Sequence, residues 1–261
     1  MINFSKYQLG AIPRDDPMTI KLHSIMLSEL PAIPDKFDID LCPQDDKMFA
    51  NDTWGDCVIA ARAHMTLRFE HWEKDCYLPI TDDEVLAEYW MEQGAKYVTK
   101  RHWCVTKQGW DCKPNNGLDV LTSLNYWRKG WKCAGDDYSI YAYGKMNPLN
   151  HAEVKACLYL LNGAYLTLGL PISAQSQEVW DKDDSANGVL GSWGYHQVYM
   201  PPIWDDLYYC WTWGKKQRMT PAFLEKYTCQ LYGVVDNKDS GNVKNILDLD
   251  RLQTYLDNVT K

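Results

Sequence analysis

The sequence predicts an α+β fold, helices gathered in its first half and strands in its second. Two patterns predict it. From 57 to about 74, Val58, Ala61, Met65, Phe69 and Trp72 recur at three- and four-residue steps, the spacing of one helix face, while Arg62, Arg68, Glu70 and Lys74 take other faces. Beyond residue 136 the reading changes: 138–143 alternates, and 164–170, 197–200, 207–213 and 228–235 read as strands. A third observation, the lack of any internal repeat or low-complexity stretch, leaves a helical half followed by a strand-rich half.

The elements follow in order. Residues 1–50 form an extended arm, broken by Pro13, Pro17, Pro31, Pro34 and Pro43 and wrapped over the body. Asp56 is an N-cap, which puts Cys57 at the first position of the helix. Thr81 to Glu84 is a capping box opening a second helix, with Val85, Leu86, Tyr89 and Trp90 on its apolar face. A loop over 97–115 carries Lys100, Arg101, His102, Trp103 and Trp110; Asn116 then caps a third helix through Leu118, Leu121, Leu124 and Trp127, stopped by Gly130. Asn150, with Glu153 three residues on, opens a helix ending at Gly163. Thr220-Pro221 opens a short helix between the last two strands, proline being tolerated at a first helical position. A linker and helix close the chain over 236–261. The body thus spans 51–235, helical over 51–135 and strand-rich over 136–235.

A chain of 261 residues can bury a large core. A net charge of −8 argues against nucleic acid as the main partner. No apolar run reaches the length of a membrane span, and the first residues lack a secretory signal's order, which makes reduced thiols in a cytosolic setting the default; a setting outside the cell would instead allow up to four disulfides with Cys57 left over. The nine cysteines include His102-x-Cys104…Cys112…Cys133, but without the paired spacing of a structural zinc site. Scattered core cysteines are the expectation, with neither metal nor cofactor.

Cys57 carries the chemical interest. The unpaired N–H groups and positive dipole of a helix start favour thiolate, while the adjacent Asp56 carboxylate opposes it. His64 lies two turns along the same helix and cannot reach that sulfur; with His71 it reads as surface or half-buried. His23, His102 and His151 have no partner legible in the sequence.

Three blocks carry a resemblance: Asn51…Gly55-Asp56-Cys57, Gly194-Tyr195-His196-Gln197-Val198, and Trp211-Thr212-Trp213-Gly214. In this order they resemble papain-like cysteine peptidases. With Gly117 to Trp127 and Leu168 to Pro171 added, the chain looks like a divergent bacterial and phage branch of that fold, over about residues 30–235. The resemblance implies a helical N-terminal lobe, a strand-rich C-terminal lobe and a cleft between them. It also implies a thiol hydrolase of peptide or protein substrates, cytoplasmic or virion-associated, with Cys57 as nucleophile and His196 as general base and then acid. Asn51 falls where the family has its oxyanion-hole glutamine, and Trp213 where a tryptophan shields the histidine. Anchoring on Trp-Gly puts Trp211 where an asparagine orients the histidine; a one-residue shift makes Thr212 a weak orienter. Fewer residues precede the cysteine than family zymogens' inhibitory segments carry, which leaves control to other means. The alternative is a catalytically silent module serving as a phage or bacterial structural or binding protein. Oligomeric state stays open.

Overall fold

Its prolines keep the arm irregular, and among its described residues the strands are two residues long, β1 (Ala11–Ile12) and β2 (Phe37–Asp38). The computed structural model describes residues 7–26, 30–40, 42, 47–98, 104–106, 109–111, 115–237, 246–248, 250–252 and 254. Helix α1 (Cys57–Lys74) starts at the cysteine, as the N-cap reading requires. Helix α2 (Asp82–Glu92) opens on the expected capping box: Thr81 accepts from the Glu84 N–H, and Glu84 returns to the Thr81 N–H at 2.9 Å.

The expected loop at 97–115 instead holds an antiparallel meander of β3 (Tyr97–Val98), β4 (Cys104–Thr106) and β5 (Gly109–Asp111). The third helix also starts later than read. Leu118 and Asp119 form β6 (Leu118–Asp119), paired parallel with β1, and Asp119 rather than Asn116 caps α3 (Val120–Lys129), taking the Thr122 N–H at 2.7 Å.

Next come β7 (Trp131–Cys133), β8 (Asp136–Tyr138), β9 (Ile140–Lys145) and α4 (His151–Leu160). Asn150 caps α4 as read, but the helix ends at Leu160, because Asn162 (φ 59°) and Gly163 (φ 128°) have left helical geometry. The rest is β10 (Ala164–Leu170), β11 (Val179–Trp180), β12 (Gly194–Met200), β13 (Ile203–Trp204), β14 (Tyr208–Thr212), β15 (Lys215–Met219), α5 (Pro221–Tyr227) and β16 (Thr228–Asp236). The linker and helix expected over 236–261 lie largely outside the described residues.

Seven strands make the main sheet, in the order β11-β15-β14-β12-β10-β16-β9. Side chains alternate across it. Leu166, Leu168, Val198, Met200 and Leu231 point to a core shared with α4 and α5. Tyr165, Tyr199 and Tyr232 point the other way, into a second core built on α1, α2 and α3. These two cores are the lobes of an α+β, papain-like architecture. Helix α1 lies between them, and every residue from Cys57 to Glu70 is buried. The polar faces are therefore inside as well: Glu70 takes Lys74 Nζ at 2.6 Å, and Arg62 and Arg68 have partners described below. No described helix is long and apolar enough to cross a membrane.

Candidate active site

The turn before α1 is knit by its own polar groups. Asn51 Nδ2 donates to the Trp54 carbonyl and to Asp56 Oδ1, both at 3.0 Å. Both amide hydrogens are thus engaged, and in this conformation Asn51 has none left for an oxyanion. The Asp56 side chain makes no cap bond to the helix; burial pushes its pKa well above the usual carboxylate range, against the Asn51 hydrogen bond. Gly55 N–H donates to Asn115 Oδ1 at 2.7 Å, and Tyr89 Oη meets the same oxygen at 3.0 Å.

His196 enters from the other lobe on β12. Its Nε2 lies 2.6 Å from Thr212 Oγ1, and its ring stacks on Trp213 with centroids 4.2 Å apart and planes 12° off parallel. Trp213 (φ 46°) and Gly214 (φ 65°) are the two central residues of the β14–β15 turn, whose paired positive φ angles match the primed turns that suit a twisted hairpin. Trp211, one residue before Thr212, faces elsewhere: its Nε1 donates to Asp40 Oδ2 at 3.1 Å, and its ring lies near His64. His196 Nδ1 is buried without a hydrogen-bond partner among the described residues. Burial lowers the His196 pKa to about 3.

Two lobes meet at the sulfur. The N–H of Gln197, the residue after His196, donates to Cys57 Sγ at 3.5 Å. The Gly10 and Val58 amides also act on the thiol, but burial outweighs all three and, with Asp56 adding to it, pushes the pKa up to about 12. The helix-start effect expected from the sequence is therefore overridden by desolvation. His64 is not at the surface: it is buried against Phe49 and Trp211, and burial lowers its pKa to about 3. His151, without a legible partner in the sequence, bridges Tyr208 Oη at 2.8 Å and Glu225 Oε1 at 2.7 Å; His23 Nδ1 lies 3.5 Å from Glu153. His102 lies outside the described residues. Cys57, Cys76, Cys133, Cys157, Cys210 and Cys229 are free thiols. No group of three potential metal ligands occurs among the described residues.

The arm covers this junction. Tyr7 stacks on Trp213 at 5.2 Å, and Leu9 packs against Gly194, in the strand-lobe core. Ala11 belongs to the helical-lobe core, so the arm crosses from one lobe to the other. Gly10 lies between, and its fit is close: a Cβ there would come within 1.9 Å of the Gly55 carbonyl oxygen, and one on Gly117 within 2.2 Å of the Gly10 oxygen. Leu118 N–H donates to the Gly10 carbonyl at 2.8 Å. With this segment in place Cys57 is completely buried. Asn115 and Asp40, which the sequence reading missed, lie in stretches without a motif.

No family model matches the sequence, and no curated protein matches it. Solved structures do match. Xylellain, a cysteine protease from Xylella fastidiosa, superposes with a TM-score of 0.62 at 14% identity, over 88% of this chain and 96% of that one. Procathepsin B from Trypanosoma congolense gives 0.58 at 10%, over 90% and 88%. The proform of the ragweed pollen cysteine protease Amb a 11 gives 0.57 at 12%, over 90% and 77%. These likenesses show that the fold is papain-like.

Proposed function

We propose that the chain is a papain-like thiol hydrolase that cleaves a peptide or amide bond, and that the conformation described is its closed state. The observation that carries this reading is the Gln197 N–H on Cys57 Sγ at 3.5 Å, which sets the sulfur beside the strand bearing His196, while His196 Nδ1 stays unengaged. With the arm displaced, Nδ1 takes the thiol proton as sulfur bonds to the acyl carbon, and Nε2–H stays on Thr212 Oγ1. The proton then passes to the leaving nitrogen as the C–N bond breaks. Water, deprotonated by the same imidazole, cleaves the thioester and restores the thiol. Trp213 shields the imidazole, and Asn51 serves the oxyanion once its bond to Trp54 or Asp56 is released.

A silent module draws support from that engaged Asn51. One experiment separates the two: iodoacetamide labelling of Cys57 against pH, in the wild type, Gly10→Leu, and Gly10→Leu/His196→Ala. In the wild type, labelling climbs with pH toward about 12. Gly10→Leu cannot seat the arm. Burial is the largest upward cause and outweighs the lost Gly10 amide, so the net shift is downward, and neutral-pH labelling rises about tenfold or more. Adding His196→Ala removes that gain if the histidine activates the sulfur. An opened thiol indifferent to His196 makes the protein a silent module.

A further inference from the structure

Beside the sulfur runs a strip of buried polar side chains that this mechanism does not use. Thr167 on β10 stands opposite both Gln197 on β12 and Gln230 on β16. Residues paired in this way share one face of a sheet, here the face toward the helical lobe. All three are buried. Thr167 Oγ1 donates to Gln197 Oε1 at 2.5 Å; Gln230 Nε2 donates to the Arg14 carbonyl of the arm at 2.6 Å and to Tyr232 Oη at 2.9 Å. Two polar atoms remain: Gln197 Nε2 and Gln230 Oε1 are buried without a hydrogen-bond partner among the described residues. Interiors seldom leave such atoms unsatisfied. One is a donor and the other an acceptor. They flank Thr167, and the strip starts at the residue whose own N–H touches Cys57 Sγ.

We propose, on the thiol-hydrolase reading above, that this strip recognises a substrate side chain and selects a carboxamide, that of glutamine or asparagine. Its C=O accepts from Gln197 Nε2, and its NH₂ donates to Gln230 Oε1. Adjacent strands lie about 4.8 Å apart, so the two glutamine backbones stand about 10 Å apart, a gap that one planar amide bridges between two others. Swapping O and N on both glutamines does not alter the fit, because a carboxamide donates and accepts. An aliphatic side chain would bury both atoms unsatisfied, and an ammonium would leave Gln197 Nε2 without an acceptor. A carboxylate has no hydrogen to give and would leave Gln230 Oε1 unsatisfied. The arm holds the place in the closed state, its Arg14 carbonyl capping Gln230.

The test uses the full chain carrying Gly10→Leu and four acyloxymethyl ketone probes, acetyl-Xaa-Gly, with Xaa glutamine, glutamate, lysine or leucine. Glycine adjoins the warhead because a glycine is what the passage beside Gly55 admits. The glutamine probe should label Cys57 about tenfold or more faster than the other three. Gln197→Leu and Gln230→Leu should each collapse that ratio, and Gln197→Asn, which retains the amide, should give an intermediate one if the leucine variants do not fold. Labelling of Cys57 that is as fast with leucine or glutamate overturns the carboxamide site and leaves the thiol hydrolase standing. No labelling by any probe overturns both.

Discussion

The two lobes bury their central elements by opposite means. In the strand lobe β10 is buried along its whole length and, apart from Thr167, packs apolar and aromatic side chains on both faces. In the helical lobe α1 is as deeply buried, yet it brings charges inside. Arg62, fully buried, donates to Glu88 at 3.0 Å, to Glu92 at 2.5 Å and to the Ser123 carbonyl at 2.9 Å, and its guanidinium lies over the rings of Trp127 and Trp131. Arg68 donates to the Ile39 carbonyl at 2.8 Å and to Asn162 Oδ1 at 3.2 Å, tying the helix to the arm and to the end of α4. A strand can be buried by composition alone. A charged helix can be buried only when several elements bring it partners.

The largest expected effect tests that contrast. Arg62→Leu leaves the Glu88 and Glu92 carboxylates without their cation and should cost about 3–5 kcal/mol, read by urea unfolding at pH 8. Its pH dependence has a definite sign. Burial raises Glu92 to about 7, against the pull of Arg62, from an ordinary 4.5. Such a group contributes fully below its unfolded value, and the contribution is lost as pH rises through the folded value. Without Arg62 that loss deepens, so the variant's deficit should be smaller at pH 5.5 than at pH 8. An equal deficit at both would break the charge-network account. Leu166→Ala, in the apolar core of the sheet, should cost about 2–5 kcal/mol at either pH. The smallest effect belongs to a local signal: Thr81→Ala removes one half of the α2 capping box and should cost about 1 kcal/mol in the same assay.

What the sequence disclosed follows the same division. Signals that act within a few residues were legible: the α1 start at Cys57, the Thr81 box, the span of β10, the Thr220-Pro221 helix start. Strand β15, Lys-Lys-Gln-Arg-Met, was not, because its charges mask an alternation in which Gln217 and Met219 are the buried positions. The burial of Arg62, Arg68 and His64 was hidden because their partners come from distant segments. In the site, the positions of Cys57 and His196 on a helix and a strand were readable. The pairing of His196 with Thr212 was among the readings, but that Trp211 would turn to Asp40 depends on the arm, which no local pattern places. Gly10 was invisible for the same reason. A lone glycine between Leu9 and Ala11 looks like any other until Gly55 and Gly117 close on it.

Because the segment over Cys57 belongs to the same polypeptide, it is never diluted. A tethered occupant meets its own cleft at an effective concentration on the order of millimolar, whatever the protein concentration. A free peptide of equal intrinsic affinity must reach that level to share the cleft. Nicking the backbone just after Ile12, before the arm is anchored by Leu22 and Ile25, would convert a first-order competition into a second-order one, and dilution would then favour an empty cleft.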